Sequence, residues 1–262
     1  LHMATGNYNP DTARLYTDLG LFTSREDYGE DASNLFNLLT GFCQFQGTKK
    51  LVVAPFEFQP VMLDLIKQEA HNARTGKPAR IIAKMNSLVD KPIIEALYDA
   101  SKAGVRVDLI VRGICCLRPG VPKLSDNITV RSIVDRFLEH SRIFFFENNG
   151  NPKVFAGSGD WMYRNFAKRI EVTFPIEDKK IKHRIINEIL PLYLKDNVKA
   201  HELQPDGTYV QLKLGGGEEA IRSQAQFISI IKATTKDQQG KSRASDIKLR
   251  VIESPKENES AA

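Results

Sequence analysis

The chain has 262 residues, of which 42% are hydrophobic and 26% charged, and it carries a formal net charge of +5. This length and composition are typical of one large or two small globular domains, and they exclude a disordered chain, a collagen-like repeat and a coiled-coil rod. No run of 18 apolar residues is present, so no transmembrane helix is predicted. The positive charge favours anionic partners such as phosphates, nucleotides or nucleic acid, although charge alone is a weak indication.

Neither the first residues nor the cysteines indicate secretion. Residues 1–3 lack the basic region and apolar stretch of a signal peptide, and we interpret them as residual cloning sequence. Cys43, Cys115 and Cys116 are too few and too poorly spaced for a disulfide framework. They are predicted to be buried thiols of a reduced cytoplasmic protein. No Cys-x-x-Cys or His-x-x-x-His spacing accompanies them, so no metal site is predicted.

Apolar periodicity predicts helices that alternate with strands over the first half of the chain. The predicted helices are 31–39, 61–70 and 92–100, and the predicted strands are 50–54, 80–85 and 105–111. The last strand is almost continuously apolar, which is typical of a central strand buried on both faces. The second half is predicted to contain strands followed by a final helix, at 128–134, 141–146, 154–157, 169–174 and 178–194.

This order of elements predicts an α/β domain with a mixed, largely parallel sheet flanked by helices. The composition changes after the three glycines at 215–217, and the last thirty or so residues are rich in Lys, Gln, Ser and Glu. We therefore predict a compact domain over 4–231. The polar tail over 232–262 has the composition of a disordered segment.

The stretch RFLEHSRIFFFE is the most informative for chemistry, because it places His140 two residues before Arg142. On a strand these side chains face the same side, so an imidazole and a guanidinium would flank a phosphoryl group. With Glu147, the spacing His-x-Arg-x4-Glu resembles the His-x-Lys-x4-Asp signature of the phospholipase D superfamily. The small-residue turn at 157–160 also resembles the turn that follows that signature. The alternative is an exposed His–Arg pair on an edge strand.

A buried strand is predicted to end in an arginine and a glycine, Arg112 and Gly113. Ligands of α/β proteins collect at the carboxyl ends of strands, and glycine allows close approach of the backbone. Arg112 is therefore well placed to meet a phosphate. A structural ion pair of Arg112 with Asp90 or Asp160 is equally compatible with the sequence.

The neighbouring predicted strand also ends in polar side chains, Lys84 and Asn86, ahead of a helix. A helix N-terminus with a lysine and an asparagine nearby is typical of an anion site. Asp90 is better explained as the cap of that helix. Nearer the N-terminus, Tyr16 offers an aromatic face for a nucleobase, although packing is the commoner role of a tyrosine.

Several long stretches resemble the bacterial polyphosphate kinase family, in the order in which that family has them. They are TGNYNPDTARLYTDLGLFT, RIIAKMNSLVDKPIIEALYDASKAGV, DLIVRGICCLRPG, SIVDRFLEHSRIFFF, GSGDWMYRN and DNVKAHELQPDGTY. The resemblance covers about residues 5–230 and indicates the last, phospholipase D-like domain of the family. It implies reversible transfer of the terminal phosphate of ATP to polyphosphate through a phosphohistidine, with magnesium.

The resemblance also implies roles for particular residues. By position, His140 corresponds to the family's second active-site histidine, and Arg112 and Tyr16 correspond to residues that contact the phosphates and nucleotide of ATP. Three further phosphate ligands are predicted from their charge and their position at strand ends, namely Lys84, Asn86 and Arg142.

The family's phosphate-accepting histidine and its magnesium ligands belong to the preceding domain, and no other histidine of this chain has matching surroundings. We therefore expect the chain to bind ATP, ADP and polyphosphate, with Mg²⁺ arriving on ATP, and to need the upstream domains for turnover. A homo-oligomer is compatible with the family, and no nucleic-acid partner is predicted. The alternatives are a non-catalytic module that binds nucleic acid or another polyanion, and a phospholipase D-type phosphodiesterase, which would need a second His-x-Lys motif.

Overall fold

The computed structural model describes residues 1–42, 44–212 and 214–242, with the side chains of the last helix described up to residue 235. Its strands are β1 (His2–Ala4), β2 (Tyr16–Thr17), β3 (Gly20–Phe22), β4 (Val52–Ala54), β5 (Arg80–Met85), β6 (Arg106–Val111), β7 (Ile128–Ile133), β8 (Leu138–Glu139), β9 (Arg142–Phe146), β10 (Lys153–Gly157), β11 (Glu171–Pro175), β12 (Ala200–Leu203) and β13 (Tyr209–Gln211). Its α-helices are α1 (Pro10–Ala13), α2 (Glu26–Leu39), α3 (Phe58–Arg74), α4 (Lys91–Lys102), α5 (Tyr163–Ala167), α6 (Lys179–Arg184), α7 (Leu190–Lys195) and α8 (Ser223–Ser242). A 3₁₀ turn at Asn148–Gly150 and a π-helical segment at Ile185–Ile189 complete the described elements.

The chain divides into two compact units, residues 1–224 and residues 225–262. The predicted boundary at 231 falls within α8. Residues 243–262, which make up most of the tail predicted to be disordered, lie outside the described residues, as does Cys43. His2 and Met3 belong to β1, and Met3 is buried, so two of the three residues interpreted as cloning sequence are built into the fold.

Nine strands form one mixed sheet, in the order β13-β12-β7-β6-β5-β9-β10-β11-β4. Within it β6 pairs in parallel with β5 and with β7, and the remaining described pairs are antiparallel. The mixed α/β sheet flanked by helices is therefore confirmed, whereas its largely parallel character is wrong. β9, β10 and β11 follow one another through short connections, the longest of which holds only the five-residue helix α5, and short connections favour antiparallel pairing.

The two faces of the central strands differ in polarity. On β5, Ile81, Ala83 and Met85 belong to the hydrophobic core together with apolar side chains of α3 and α4. Side chains alternate along a strand, so Lys84 points to the opposite face. There Tyr193 of α7 lies with its ring 4.8 Å from the Lys84 ammonium group. Helices thus cover both faces of the sheet at β5.

Two short strand pairs lie outside the large sheet. β1 pairs antiparallel with β3, and β2 pairs in parallel with β8. In the second pair Tyr16 lies opposite Leu138 and Thr17 opposite Glu139. Because His140 directly follows β8, this pairing brings the segment around Tyr16 next to the predicted catalytic histidine.

Candidate functional site

A cavity of about 400 Å³ opens at the carboxyl ends of β5 and β6, next to the link between β8 and β9. All but one of the predicted site residues line it, namely Tyr16, Asn86, Arg112, His140 and Arg142. The parallel pairing of β5 with β6 explains part of this convergence, because Met85 lies opposite Val111 and the next residues therefore emerge side by side.

Lys84 is the predicted site residue that the structure does not bring to the cavity. Its side chain is 1% exposed and lies 3.1 Å from the carboxylate of Glu139. Its ammonium group donates to the hydroxyl and the carbonyl of Ser141, at 2.9 and 3.1 Å. Burial lowers the pKa of Lys84, and the charge of Glu139 opposes that shift. A position at the end of a strand was not enough to place Lys84 in the cavity, because its side chain points to the face of the sheet that α7 covers.

His140 is held between a carboxylate and a guanidinium. Its Nδ1 lies 3.0 Å from both carboxylate oxygens of Asp18, and its Nε2 lies 3.1 Å from Nη1 of Arg142. Arginine only donates hydrogen bonds, so in the neutral ring Nε2 accepts and the proton resides on Nδ1, facing Asp18. The His140 side chain is 12% exposed. The ring is thus fixed in one tautomer, with a small exposed fraction at the cavity.

Arg142 is itself neutralised by a carboxylate. Its Nε and Nη2 donate to the two oxygens of Asp160 at 3.1 and 3.2 Å, a bidentate pair that is almost fully buried. Asp160 also accepts from the backbone N–H of Asn86 at 2.8 Å. The sequence left open whether Asp160 pairs with Arg112, and the structure pairs it with Arg142 instead. Arg142 therefore links the carboxylate of Asp160 to the ring of His140.

Arg112 is oriented by Asn86. The Oδ1 of Asn86 accepts from Nε and Nη2 of Arg112, both at 3.1 Å, and the carbonyl of Glu139 accepts from the same Nε. Among the residues that the structure describes, none accepts from Nη1 of Arg112, and no carboxylate pairs with this guanidinium. Asn86 therefore aims a cation that retains hydrogen-bonding capacity for an anion.

Gly113 allows the backbone that follows Arg112 to approach Asn86 closely. A Cβ at Gly113 would lie 2.8 Å from the carbonyl oxygen of Asn86. The N–H of Gly113 donates to that same carbonyl at 2.8 Å. The close approach at Gly113 is therefore to the backbone of Asn86.

Tyr16 lies beside His140, with ring centroids 4.9 Å apart and ring planes tilted by 49°. It is half-buried and lines the cavity. The tyrosine thus combines packing against the histidine with an aromatic surface at the cavity, so the two roles considered for it are compatible.

The sequence-based reasoning missed several residues at the site. Asp18 was not singled out, because a two-residue parallel strand leaves no periodic signal. Arg164 of α5 and Arg169, which follows that helix, are exposed residues that line the cavity, and the Arg169 side chain is 52% exposed. Glu171 is buried beside them, where it accepts from Ser158 at 2.5 Å and from Asn165. The clustering of Arg164 and Arg169 after the small-residue turn was the available signal.

Three other expectations have definite outcomes. Glu147 does not line the cavity, because it follows the far end of β9 from Arg142. Asp90 caps α4 by accepting from the N–H of Ile93 at 3.1 Å, as predicted. Of the described cysteines, Cys115 is partly buried, with a pKa raised to about 11 by burial, whereas Cys116 is exposed. The prediction that Cys116 is buried is therefore wrong, since it follows the strand β6 in an open loop.

The arrangement has the chemistry of a phosphate-binding site. Arg112 and Arg164 supply positive charge at the cavity beyond Arg142, which pairs with Asp160, and Arg169, which lies 3.9 Å from the carboxylate of Glu171. Guanidinium groups bind phosphate oxygens in a bidentate manner. Within the described part of the chain, no group of three or more His, Cys, Asp or Glu side chains is placed to hold a metal ion. No helix in that part is long and apolar enough to cross a membrane.

Comparison with known sequences agrees with this class of site. The sequence profile described as "Polyphosphate kinase C-terminal domain 2" matches residues 51–224, and "Polyphosphate kinase C-terminal domain 1" matches residues 1–45. A polyphosphate kinase of Synechocystis sp. is 52% identical over 238 residues, and one of Halalkalibacterium halodurans is 54% identical over 230 residues. These alignments cover 90% and 88% of this chain, but 33% and 32% of the relatives.

One solved structure gives the same result. The crystal structure of polyphosphate kinase from Porphyromonas gingivalis superposes with a TM-score of 0.85 at 40% identity, over 90% of this chain and 36% of that one. A phospholipase D family member, Nuc from Salmonella typhimurium, superposes with a TM-score of 0.44 at 15% identity. The chain belongs to the polyphosphate kinase family and corresponds to its C-terminal part. It spans about a third of the length of the curated relatives that it matches.

Proposed function

We propose that this chain supplies one half of the active site of a polyphosphate kinase, in which the cavity binds the phosphates of ATP, ADP or polyphosphate. The observation that carries the proposal is the convergence of Tyr16, Arg112 and His140 on one cavity in a chain of this family. The domains that precede this part in the relatives are the proposed partners that complete the site.

Charge neutralisation is the main task of the residues present here. Phosphoryl transfer depends on positioning and on stabilising the charge of the phosphate oxygens more than on covalent help from the protein. Arg112, aimed by Asn86, is proposed to hold the phosphate that reacts, and Tyr16 is proposed to face the nucleotide base. Arg164 and Arg169 extend the positive surface along the cavity, where further phosphates of a chain would lie.

In the proposed transfer, a histidine nitrogen of the upstream domain attacks the terminal phosphorus of ATP. The bond from that phosphorus to the bridging oxygen breaks, ADP leaves with the electron pair, and a phosphohistidine forms. The terminal oxygen of a polyphosphate chain then attacks the same phosphorus and frees the histidine. The phosphohistidine bond and the phosphoanhydride bonds have similar free energies of hydrolysis, so the transfer runs in both directions.

His140 is proposed to act on the oxygen that leaves or attacks. Asp18 holds the Nδ1–H, so Nε2 is the atom that takes up or releases a proton. For this step the Arg142 Nη1–H, which donates to Nε2 in the structure, turns to a phosphate oxygen, and the carboxylate of Asp18 stabilises the imidazolium that forms. The imidazolium can stabilise the negative charge on that oxygen and can also donate its proton to it, and the two contributions are compatible. Magnesium, which supplies further charge neutralisation, is proposed to arrive on ATP with its protein ligands in the upstream domain.

By this account the isolated chain binds phosphate-rich ligands but does not turn them over, because the residue that accepts the phosphate belongs to another domain. The proposed location is the cytoplasm, where ATP is available. A homo-oligomer is compatible with the proposal, which does not require one.

The test is a calorimetric titration of the purified chain with ATP, polyphosphate and single-stranded DNA at about 0.15 M salt, which partly screens surface charge. The wild type is compared with Arg112→Ala, His140→Ala and the control Arg184→Ala. Arg184 is an exposed arginine on α6, so this control removes the same charge outside the cavity.

We expect ATP and polyphosphate to bind, DNA to bind more weakly, and Arg112→Ala to weaken ATP binding by about tenfold or more, as for a hydrogen bond to a charged group. Arg184→Ala should have little effect. Equal binding of all three ligands, with the same small loss in every arginine variant, would instead indicate a non-catalytic polyanion-binding module. Hydrolysis of a phosphodiester by the chain would favour the phosphodiesterase alternative.

A further inference from the structure

A buried polar cluster lies behind the cavity, and the phosphate-binding role does not use it. Its centre is Glu139, whose side chain is 2% exposed. The two carboxylate oxygens accept from the Thr17 hydroxyl at 2.9 Å and from the Gln224 amide at 2.7 Å, and one lies 3.1 Å from the Lys84 ammonium group. Tyr193 covers the lysine with its ring.

Each contact of Glu139 fixes a segment that carries a site residue. Thr17 directly precedes Asp18, and Glu139 directly precedes His140. Lys84 also holds Ser141, the residue that follows His140, through its hydroxyl and its carbonyl. The cluster therefore holds the residues on both sides of His140, and it also holds Thr17, the residue before Asp18.

Gln224 forms further hydrogen bonds to the segment that leads to His140. Its amide oxygen accepts from the N–H of Phe137, and its amide nitrogen donates to the carbonyl of Phe137 at 2.8 Å as well as to Glu139. These bonds fix the backbone that enters β8, three residues before His140. Gln224 lies at the end of the region matched by the family profile.

The backbone alone gives this part of the site little support. β2 and β8 pair over two residues each, and strand pairs this small are marginal in water. A buried ion pair loses about as much by desolvation as it gains by attraction, so added stability is a poor explanation for Lys84 and Glu139. Such a pair does define a unique arrangement of the segments that it joins.

We propose that Glu139 is a positioning residue for His140. Through Thr17, its buried carboxylate locks β2 to β8 in the register that sets the carboxylate of Asp18 against Nδ1 of His140. Lys84 balances its charge from the central sheet and ties the arrangement to β5. Glu139 touches no ligand, and it acts only through the geometry of the residues beside it.

This inference rests on the proposed function for the role of His140, so the experiment measures the histidine ring and ligand binding separately. The principal variant is Thr17→Val, which keeps the shape and the buried ion pair but removes the hydroxyl that bonds to Glu139. Thr17→Ser keeps the hydroxyl and serves as the conservative rescue. Thr129→Val is the matched control, because Thr129 donates to the carboxylate of Asp108 on another part of the sheet, at 3.2 Å.

The ring nitrogens of His140 are observed by long-range ¹H–¹⁵N correlation in the full chain at neutral pH, and the signals are assigned by their loss in His140→Gln. ATP affinity is measured by titration, and stability by urea unfolding. In the wild type, Thr17→Ser and Thr129→Val, we expect the two well-separated nitrogen shifts of a fixed Nδ1–H tautomer. In Thr17→Val we expect these shifts to converge as the tautomers exchange.

We also expect Thr17→Val to weaken ATP binding by about fivefold, which corresponds to about 1 kcal/mol, with an unfolding midpoint close to that of Thr129→Val. Unchanged ring shifts in Thr17→Val would overturn the proposal. Equal loss of the shifts in Thr17→Val and Thr129→Val would also overturn it, because the effect would then be general loosening. If the wild type binds no ATP, the proposed function fails, while the ring shifts still decide the positioning role.

Discussion

The site has two arms that are held in place in different ways. One arm consists of Asn86 and Arg112, which directly follow β5 and β6, two six-residue strands at the centre of the large sheet. The other consists of Tyr16, Asp18 and His140, which lie at β2 and β8, two strands of two residues each. The first arm takes its position from the backbone of the sheet.

The second arm takes its position from side chains. Thr17, Lys84 and Gln224 all converge on Glu139, and this buried cluster replaces the backbone hydrogen bonds that so short a strand pair lacks. The comparison teaches that the two arms are held in place by different means, since the cation arm belongs to the sheet and the histidine arm to a polar cluster. They meet where the Arg112 Nε donates to the carbonyl of Glu139. Substitutions that act on one arm should therefore leave the other largely intact.

The largest effect is expected from Glu139→Gln. This change leaves the Lys84 ammonium group buried without its counter-charge, and breaking a buried ion pair costs about 3–5 kcal/mol. The measurement is the free energy of urea unfolding. The double variant Lys84→Met with Glu139→Gln removes both charges and should recover most of the loss. A single variant as stable as the wild type would show that the second arm does not depend on this pair.

Gly113→Ala tests the first arm. The added Cβ would lie 2.8 Å from the carbonyl oxygen of Asn86, which is backbone and cannot swing aside. We expect a loss of about 1–3 kcal/mol in unfolding free energy, together with weaker ATP binding, because the loop that carries Arg112 must shift. The His140 ring shifts should stay those of the wild type. A change in those shifts would mean that the two arms are not separate.

Gly6→Ala is the matching change on the second arm. A Cβ at Gly6 would overlap the carboxylate of Asp18, which can rotate away, and would lie 3.0 Å from the Cβ of Asp18, which requires a small shift of the chain. We therefore expect a stability change below about 1 kcal/mol and a loss of the fixed tautomer of His140, seen in its ring nitrogen shifts. Unchanged ring shifts in a well-folded Gly6→Ala variant would show that Asp18 does not fix the histidine.

Asp135→Asn should have the smallest effect, and it depends on pH. Asp135 pairs with Arg222 at 2.6 and 2.8 Å in the segment between β7 and β8, and this hydrogen bonding lowers the pKa of Asp135 below its ordinary value. A lowered pKa adds stability above the ordinary value of about 3.9, and that stability is lost as the pH falls through the folded-state pKa.

Arg222 is partly exposed, so its pair with Asp135 contributes little to stability. Urea unfolding at pH 7 and at pH 3 measures it. Asp135→Asn should be slightly less stable than the wild type at pH 7, and the difference should shrink at pH 3. A difference that does not change with pH would exclude the ion pair as its source.

The sequence predicted the first arm well because its strands are long and apolar. The strand predicted at 80–85 has the observed bounds, and the one predicted at 105–111 differs by one residue. Periodicity also located α3 and α4, although both are longer than predicted. From two neighbouring strands that end in polar residues, the convergence of Asn86 and Arg112 followed directly.

The second arm could be predicted only in part. His140 and Tyr16 were identified through their place in long family-like stretches, whereas Asp18 and Glu139 have no local pattern that marks them. Their roles arise from contacts between residues more than 120 positions apart, which periodicity does not encode. Lys84 was misplaced for a related reason, because the side of a strand that meets the site depends on which helix covers it.

The orientation of the strands also lay beyond local patterns. Short apolar runs predicted the strands of the second half, but whether neighbours run parallel follows from the connections between them. The helix predicted at 178–194 is observed as α6 and α7 with a π-helical segment at Ile185–Ile189 between them. Nothing in the apolar spacing of that segment marked the change.

The central claim is that this chain carries a preformed phosphate site between its two arms. The most direct measurement is a crystal structure of the chain grown with inorganic triphosphate and without any upstream domain. We predict triphosphate in the cavity, with phosphate oxygens within hydrogen-bond distance of the Arg112 guanidinium and beside Nε2 of His140. Triphosphate bound elsewhere on the chain, with Arg112 still held by Asn86 over an empty cavity, would contradict the account.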